Sequence, residues 1–427
     1  MEGVLEKQND ARLKIATRNI ILMMIGKLSS MLGANIYTFA MGLYVLKTTG
    51  SGMGFAITLV CGSVPRMICG PIAGAAADRM NRKWLAVGAD ILSALIMFTM
   101  FLLSTSFGLS LIFIYASAAL LSICASFFSI ALTSSIPSLV DTTRIQKANS
   151  LNQTATSLAT ILGPIIGGLV YGLFSMKFFF LLNGMTFAFA AIIELFMIFD
   201  LYKADKKEDK DHFLTSIKEG FVYVKEQSDI FSMVKLSLWI NFFFCAITVS
   251  LPYIIVQKLS LSSQQFGVIE GMFAVGMLIA SIVLSVRAEA TNKFQTIRRN
   301  LFMLAGLLLC IVLPIFLPLT KTMIFIYYIT LMILFGVNII TINVPLQVFV
   351  QKTTAPEYLG RVFGLIETIA TAIVPLGTLL YGVLLDYIPA STVMLISAFG
   401  LFIVVFFGTK QWKNVKDVQK QEGVSIP

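Results

Sequence analysis

The sequence predicts an all-α membrane protein of twelve transmembrane helices, and three observations carry that prediction. Hydrophobic residues make up 57% of the 427 and charged residues only 13%, against about 25% charged in an average globular chain. Mean hydropathy is +0.87, more apolar surface than a soluble fold could cover. Apolar runs recur along the whole chain, each long enough to cross a ~30 Å hydrocarbon core as a helix. The basic residues, finally, crowd onto alternate connecting loops.

Taken in order, the first span covers 19–46 and contains Lys27 and Asn35. The second, 53–76, contains Arg66 and runs into the loop G-A-A-A-D-R-M-N-R-K. Spans three and four cover 84–104, with Asp90, and 109–135. The fifth, 151–173, carries I-L-G-P-I-I-G-G, a proline and three glycines where a soluble helix would lose several kcal/mol. In lipid the same residues have a use. No hydrophobic force presses helices together there, so small residues that permit close backbone approach supply the packing. Gly163, Gly167 and Gly168 form a flat strip, and Pro164 removes one backbone hydrogen bond and bends the helix. The sixth span, 178–199, holds Glu194.

A polar stretch, 200–235, then separates six spans from six. Its later part, F-L-T-S-I-K-E-G-F-V-Y-V-K-E, has apolar residues at near-helical spacing and predicts an amphipathic helix on the membrane surface. The remaining spans are 236–257, with Asn241; 264–286, with Glu270; 301–319; 323–349, with Asn338 and Asn343; 362–385, with Glu367; and 391–409. The expected organisation is a six-helix bundle at 1–199, a linker at 200–235, and a second bundle with a basic tail at 236–427. A shift of 210 residues lays Tyr171-Gly172 on Tyr381-Gly382 and Gly167 on Gly377, pointing to a duplicated six-helix unit of the kind that builds secondary transporters.

Of the 32 Lys and Arg, 26 fall on the two tails and the even-numbered loops and 4 on the odd-numbered loops. The positive-inside rule therefore places both termini in the cytoplasm. The net charge of +10 needs only a basic inner face opposite anionic lipid, so nucleic acid is not an expected partner. All five cysteines lie in predicted spans, and the single histidine, His212, sits in a charged loop. No metal-ligand spacing, convergent catalytic set or nucleotide-binding G-x-x-x-x-G-K-[ST] loop is present. Neither an enzyme, a fused ATPase, a metal site nor a cofactor is expected.

The loop Gly74 to Lys83 closely resembles the signature between helices 2 and 3 of the major facilitator superfamily, matched by Gly74, Asp78, Arg79, Arg82 and Lys83. The fifth span resembles the glycine-proline motif of the superfamily's exporters through Gly163, Pro164, Gly167 and Gly168, with Ala159 where that motif usually has its first glycine. K-A-N-S-L-N-Q before it, and P-E-Y-L-G-R-V-F-G at 356–364, resemble the drug:proton antiporter branch that includes macrolide efflux proteins. The resemblance implies the major facilitator fold, a bacterial plasma membrane location, a monomer, and a loop that latches the two halves and releases them as the transporter opens inward. In such a turn Asp78 can accept from the amides of a neighbouring helix, while Arg79, Arg82 and Lys83 anchor to headgroups or carboxylates.

Ionisable groups inside spans are costly and mark function by default. Glu194 and Asp90 lie about one and a half and two turns from the inner ends of their spans, ~10 Å for Asp90 at 1.5 Å per residue. The superfamily layout makes their helices peripheral, and both are read as structural. Glu367, then Glu270, are the candidates for proton coupling, with Lys27 or Arg66 as ion-pair partner; a permanent salt bridge or pairing with helix carbonyls is the alternative. Asn35, Asn241, Asn338 and Asn343 are candidates to line a cavity, though each could equally bond helix to helix. The expected function is secondary export of amphipathic small molecules such as macrolides, by alternating access and proton antiport. A same-fold carrier of a siderophore, peptide or lipid, or a symport importer, is the alternative.

Overall fold

The computed structural model describes residues 2–202, 222, 224–286, 293–354, 362, 366, 369 and 372–410. Its long helices, in chain order, are α1 (Glu2–Thr49), α2 (Gly52–Arg79), α3 (Arg82–Ser106), α4 (Leu111–Leu139), α5 (Ile145–Leu173), α6 (Met176–Leu195), α7 (Ser228–Pro252), α8 (Ser263–Val286), α9 (Lys293–Cys310), α10 (Lys321–Thr353), α11 (Val374–Tyr387) and α12 (Ala390–Gly408). Eleven of them give candidate membrane spans, and α11 is a shorter apolar helix. The first part of the expected eleventh span and most of the amphipathic segment fall outside the described residues.

The distribution of residue sizes shows which solvent these helices are built for. On α3 the buried positions are mostly small or polar, including Ala86, Ala89, Ser93 and Ala94. The exposed positions Ile91, Leu92, Leu95 and Leu102 are large and apolar. On α4 five serines, Ser117, Ser122, Ser126, Ser135 and Ser138, face inward. Small residues within and bulky apolar residues without is the pattern of helices that pack by close approach while presenting hydrocarbon to lipid.

Helix ends follow from local hydrogen bonding. Asn81 caps α3 by accepting from Lys83 N at 2.9 Å, and Thr320 Oγ1 caps α10 by accepting from Met323 N at 3.3 Å. Each supplies an acceptor for a first-turn amide. α6 stops at Leu195, short of the expected 199, because the chain tightens: Phe196 N donates to the Ile193 carbonyl at 3.2 Å. α7 starts at Ser228, inside the expected linker, and after Pro252 continues as a π-helical turn, Tyr253–Lys258. Leu259 N closes that turn on the Ile254 carbonyl at 2.9 Å.

Two compact units emerge. The first comprises Met1–Gly50, Ile57–Glu208 and Ser262–Gly271. Within it α1 packs on α5 and α6, and α3 on α4 and α6, around buried Tyr37, Met97, Phe179 and Phe187. Tyr37 Oη and Ser117 Oγ share a hydrogen bond of 2.6 Å, so the phenol is satisfied in the core. The second unit comprises Ser51–Ala56, Asp209–Leu261 and Met272–Pro427. Here α7 packs on α11 and α12, and α9 on α10 and α12. Tyr328 Oη donates to the Ile311 carbonyl at 2.7 Å.

Candidate functional site

The glycine strip of α5 is used on two sides. A methyl group placed on Gly163 would stand 2.5 Å from Asn35 Cβ, and one on Gly167 would stand 3.1 Å from Phe39 Cδ1, so this edge lies directly on α1. On the other edge, a methyl on Gly168 would lie 2.6 Å from the Ser263 carbonyl oxygen and 3.3 Å from Gly267 Cα. Gly267 reciprocates, meeting the Pro164 carbonyl, while Gly271 faces Ile165. Gly267 and Gly271 thus form a second small-residue pair one turn apart on α8, which pattern reading had missed.

The loop between α2 and α3 is tied to backbone. Arg82 donates from Nε to the Ala77 carbonyl at 3.0 Å and from a terminal nitrogen to the Ser134 carbonyl at 2.6 Å. Lys83 Nζ donates to the Leu195 and Met197 carbonyls at 2.7 and 3.0 Å. Lys83 is thus anchored to the end of α6. The reason is that a helix leaves its last carbonyls unpaired at the negative end of its dipole, and α6 ends beside Lys83. Arg79 is exposed, Gly74 has open space around it, and the side chain of Asp78 is outside the described residues.

Among the membrane charges, Glu367 lies outside the described residues. Glu270 is half-buried and forms no ion pair with another described residue. Lys27 is 4% exposed, and Arg66 is exposed. Among the described residues neither cation is paired with a carboxylate. Asp90 and Glu194, read as separate structural charges, are brought side by side. Outside the spans, Asp141 precedes α5. Burial works against its charge, but the Thr143 hydroxyl and the Arg144 guanidinium, 3.4 Å away, hold its carboxyl below the usual carboxylate range. Arg144 also donates to the Leu13 carbonyl at 2.6 Å, tying this loop to α1.

The asparagines divide. Asn35 is half-buried against Gly163, Asn241 donates to the Ser237 carbonyl of its own helix at 2.9 Å, and Asn343 is exposed. Asn338 is 2% exposed and donates to the Asn300 carbonyl at 3.1 Å. It bonds α10 to α9, the helix-to-helix role left open for it, and Asn300 Nδ2 adds a 3.3 Å bond to the Thr341 carbonyl between the same two helices. Replacing Asn338 by Ala is expected to lower thermal stability in detergent by about 1–3 kcal/mol, since the Asn300 carbonyl would lose its buried donor; an unchanged melting temperature would sink this assignment.

A model of the Major Facilitator Superfamily matches residues 23–378. The chain belongs to that superfamily. As a facilitator it is similar to macrolide efflux protein A of Streptococcus pyogenes, 24% identical over 395 residues that cover 92% of this chain and 94% of that one. It is also similar to the staphyloferrin A transporter of Staphylococcus aureus, 24% identical over 92% of this chain and 97% of that one. Among solved structures, the nucleoside transporter NupG matches with a TM-score of 0.66 at 15% identity, covering 93% and 99% of the two chains. A bacterial homologue of the iron transporter ferroportin in its inward-facing state matches at 0.67 and 16%, covering 92% and 99%. These relatives are all transporters, and the likenesses to solved structures establish the fold alone.

Two further features of this facilitator were missed in the sequence. In the first unit a cavity of about 410 Å³ is lined by Tyr44, Lys47, Tyr171, Gly172, Phe174, Met176 and Ser262 to Gln264. Lys47 Nζ donates to Ser263 Oγ at 2.8 Å and lies 5.2 Å from the centre of the Tyr171 ring. In the second unit the carboxylate of Asp386, at the end of α11, caps the start of α2. It accepts from Gly52 N at 2.6 Å, Ser51 Oγ at 2.7 Å and Met53 N at 3.3 Å. The aromatic-glycine pairs at 171–172 and 381–382 had been visible as a repeat mark, without indicating what they touch.

Proposed function

We propose that this facilitator is a secondary active exporter of amphipathic small molecules, macrolides among them, working by alternating access and proton antiport in a bacterial plasma membrane. The observation that carries the reading is the doubled glycine contact of α5. Backbone-to-backbone crossings without interlocking side chains let helices slide or pivot with little repacking, which a rocking carrier needs. The resemblance to macrolide efflux protein A over nine-tenths of both chains supports the cargo class. With no histidine in the spans, Glu367 and Glu270 are the proposed coupling carboxylates, and Lys27 and Arg66 their ion-pair partners. Twelve spans in two repeats, divided as 1–199, 200–235 and 236–427 with both termini cytoplasmic, belong to the same reading. Gly172 and Gly382 support the duplication: each leaves room for a residue of another helix, the first for the Gln264 side chain and the second for Ala56.

The experiment is a proteoliposome assay with an inside-acid gradient and a panel of macrolides and amphipathic cations, following lumenal pH. Wild type is expected to release protons with substrate, and Glu367→Gln or Glu270→Gln to lose at least about 90% of that release, the tenfold effect of ~1.4 kcal/mol. Substrate exchange without proton movement in wild type would replace antiport by facilitated diffusion or another driving ion. A second reading, a siderophore carrier, is favoured by the similarity to the staphyloferrin A transporter, and substrate-dependent flux of a siderophore alone in the same vesicles would establish it.

A further inference from the structure

We propose that Asp90 and Glu194 together form a proton-binding site inside the first unit, loaded and emptied once per transport cycle. This adds a coupling site to the antiport reading and rests on it for the cycle. The site itself rests on geometry.

One strip of α1 organises the pair. Ser30 Oγ donates to Asp90 Oδ1 at 2.7 Å. One turn earlier, Gly26 turns its bare Cα toward the other carboxyl: a methyl there would lie 3.6 Å from Glu194 Oε1 and 3.5 Å from its Cγ. Glycine and serine one turn apart therefore seat carboxyl groups from α3 and α6 next to each other. Asp90 is 1% exposed and Glu194 is fully buried. Among the described residues, Asp90 Oδ2 and both oxygens of Glu194 have no hydrogen-bond donor.

Among the described residues, no donor in the surroundings reaches these oxygens. Cys124 of α4 is buried, and Ser93 spends its hydroxyl on the Ala89 carbonyl at 2.9 Å. Neither Lys27, next to Gly26 on α1, nor Arg66 of α2 forms an ion pair with either carboxyl among the described residues. Lys83 donates to the carbonyls that end α6, and Arg18 reaches the Phe196 carbonyl at 3.5 Å. Among the described residues no ammonium or guanidinium lies within 4.0 Å of either carboxyl. Two adjacent carboxylates both ionised, buried and unpaired carry a desolvation cost that burial without a counter-ion does not repay. One proton changes the balance: it neutralises one group, and its O–H supplies the donor that the other group's oxygen lacks. Protons then bind to the pair as a unit and not to either residue alone.

Position gives the proton a route and an effect. Glu194 is one residue from the end of α6, so a proton reaches it without crossing the bundle. Asp90 is bonded to α1, the helix that also bears Lys27 and Asn35, so a change in its charge alters the seat of that helix.

The test uses full-length protein in lipid nanodiscs and follows the infrared carbonyl band of protonated carboxyl groups across a pH titration in light and heavy water. Wild type is expected to show a titrating band that the Asp90→Asn/Glu194→Gln double variant lacks; identical titrations in the two would overturn the proposal. Ser30→Ala keeps both carboxyls and is the check if the double variant does not fold: it is expected to displace the titration midpoint, and an unmoved midpoint counts against the site. In proteoliposomes each single variant is expected to keep substrate exchange yet lose proton-driven accumulation about tenfold, and full accumulation in both would overturn a coupling role. Failure of every substrate to move protons in wild type would reject the antiport reading and the coupling role, with the infrared titration still deciding whether the pair binds a proton.

Discussion

Gly168→Ala is expected to reduce transport roughly 5- to 150-fold, whereas Gly172→Ala and Gly74→Ala leave it within about twofold. The contrast follows from what each added methyl meets. At Gly168 it meets the Ser263 carbonyl oxygen at 2.6 Å and Gly267 Cα at 3.3 Å, both backbone atoms that cannot turn aside. The helices must part by most of an ångström, and overpacking of this kind costs about 1–3 kcal/mol, the range that gives the fold-change stated. At Gly172 the obstacle is the amide end of Gln264, a flexible side chain that can move away, and at Gly74 there is open space. The penalty at Gly168 falls on whichever conformation holds this crossing, so it appears as a shifted conformational equilibrium as well as a slower cycle. Initial transport rates for the three variants at matched expression would settle it: equal losses for all three would mean that glycine's backbone freedom, and not close approach, is what these positions require.

The same strip shows what the sequence disclosed and what it could not. Gly163, Gly167 and Gly168 were legible because small residues at helical spacing in an uncharged segment have few other uses in lipid. Which helices they touch was not, since Asn35 and Gly267 reach them only through the fold. Gly267 and Gly271 were not legible as a contact, because a glycine pair one turn apart on α8 encodes close approach without encoding Pro164 and Ile165 of α5 as what it meets. Asp90 and Glu194 show the same limit more sharply. Each could be recognised as a costly buried charge, but their adjacency depends on Gly26 and Ser30 of a third helix, and no pattern within α3 or α6 encodes it. Asn338 and Asn343 were equivalent as letters and differ in depth, one buried against Asn300 and the other exposed. Spans were the easiest part to read, because length and apolar composition are properties of a segment alone. Their ends were harder: α6 stops at Leu195 through a local turn that leaves carbonyls for Lys83 and Arg18.

Asp386→Ala is expected to raise amide hydrogen exchange at Gly52 and Met53 by about 2- to 30-fold, the range that corresponds to losing an N-cap worth roughly 0.5–2 kcal/mol. Asp386 supplies more than an ordinary cap, since its charge also faces the positive end of the α2 dipole. A neutral Asp386→Asn side chain is therefore expected to fall between Ala and wild type. The cap works only because α2 and α11 approach closely here: a methyl on Gly52 would stand 2.7 Å from Leu385 Cβ, and one on Gly382 would stand 3.1 Å from the Gly52 carbonyl and press on Ala56. Gly382→Ala should then open the crossing at a cost of about 1–3 kcal/mol and carry Asp386 out of reach of the amides. Once the crossing is open, removing the carboxylate changes little, so the double variant is expected to exchange at nearly the rate of Gly382→Ala alone. A double-mutant cycle measures that coupling directly. Effects that add would show the carboxylate holding the first turn of α2 by itself, with the glycine contact serving packing alone.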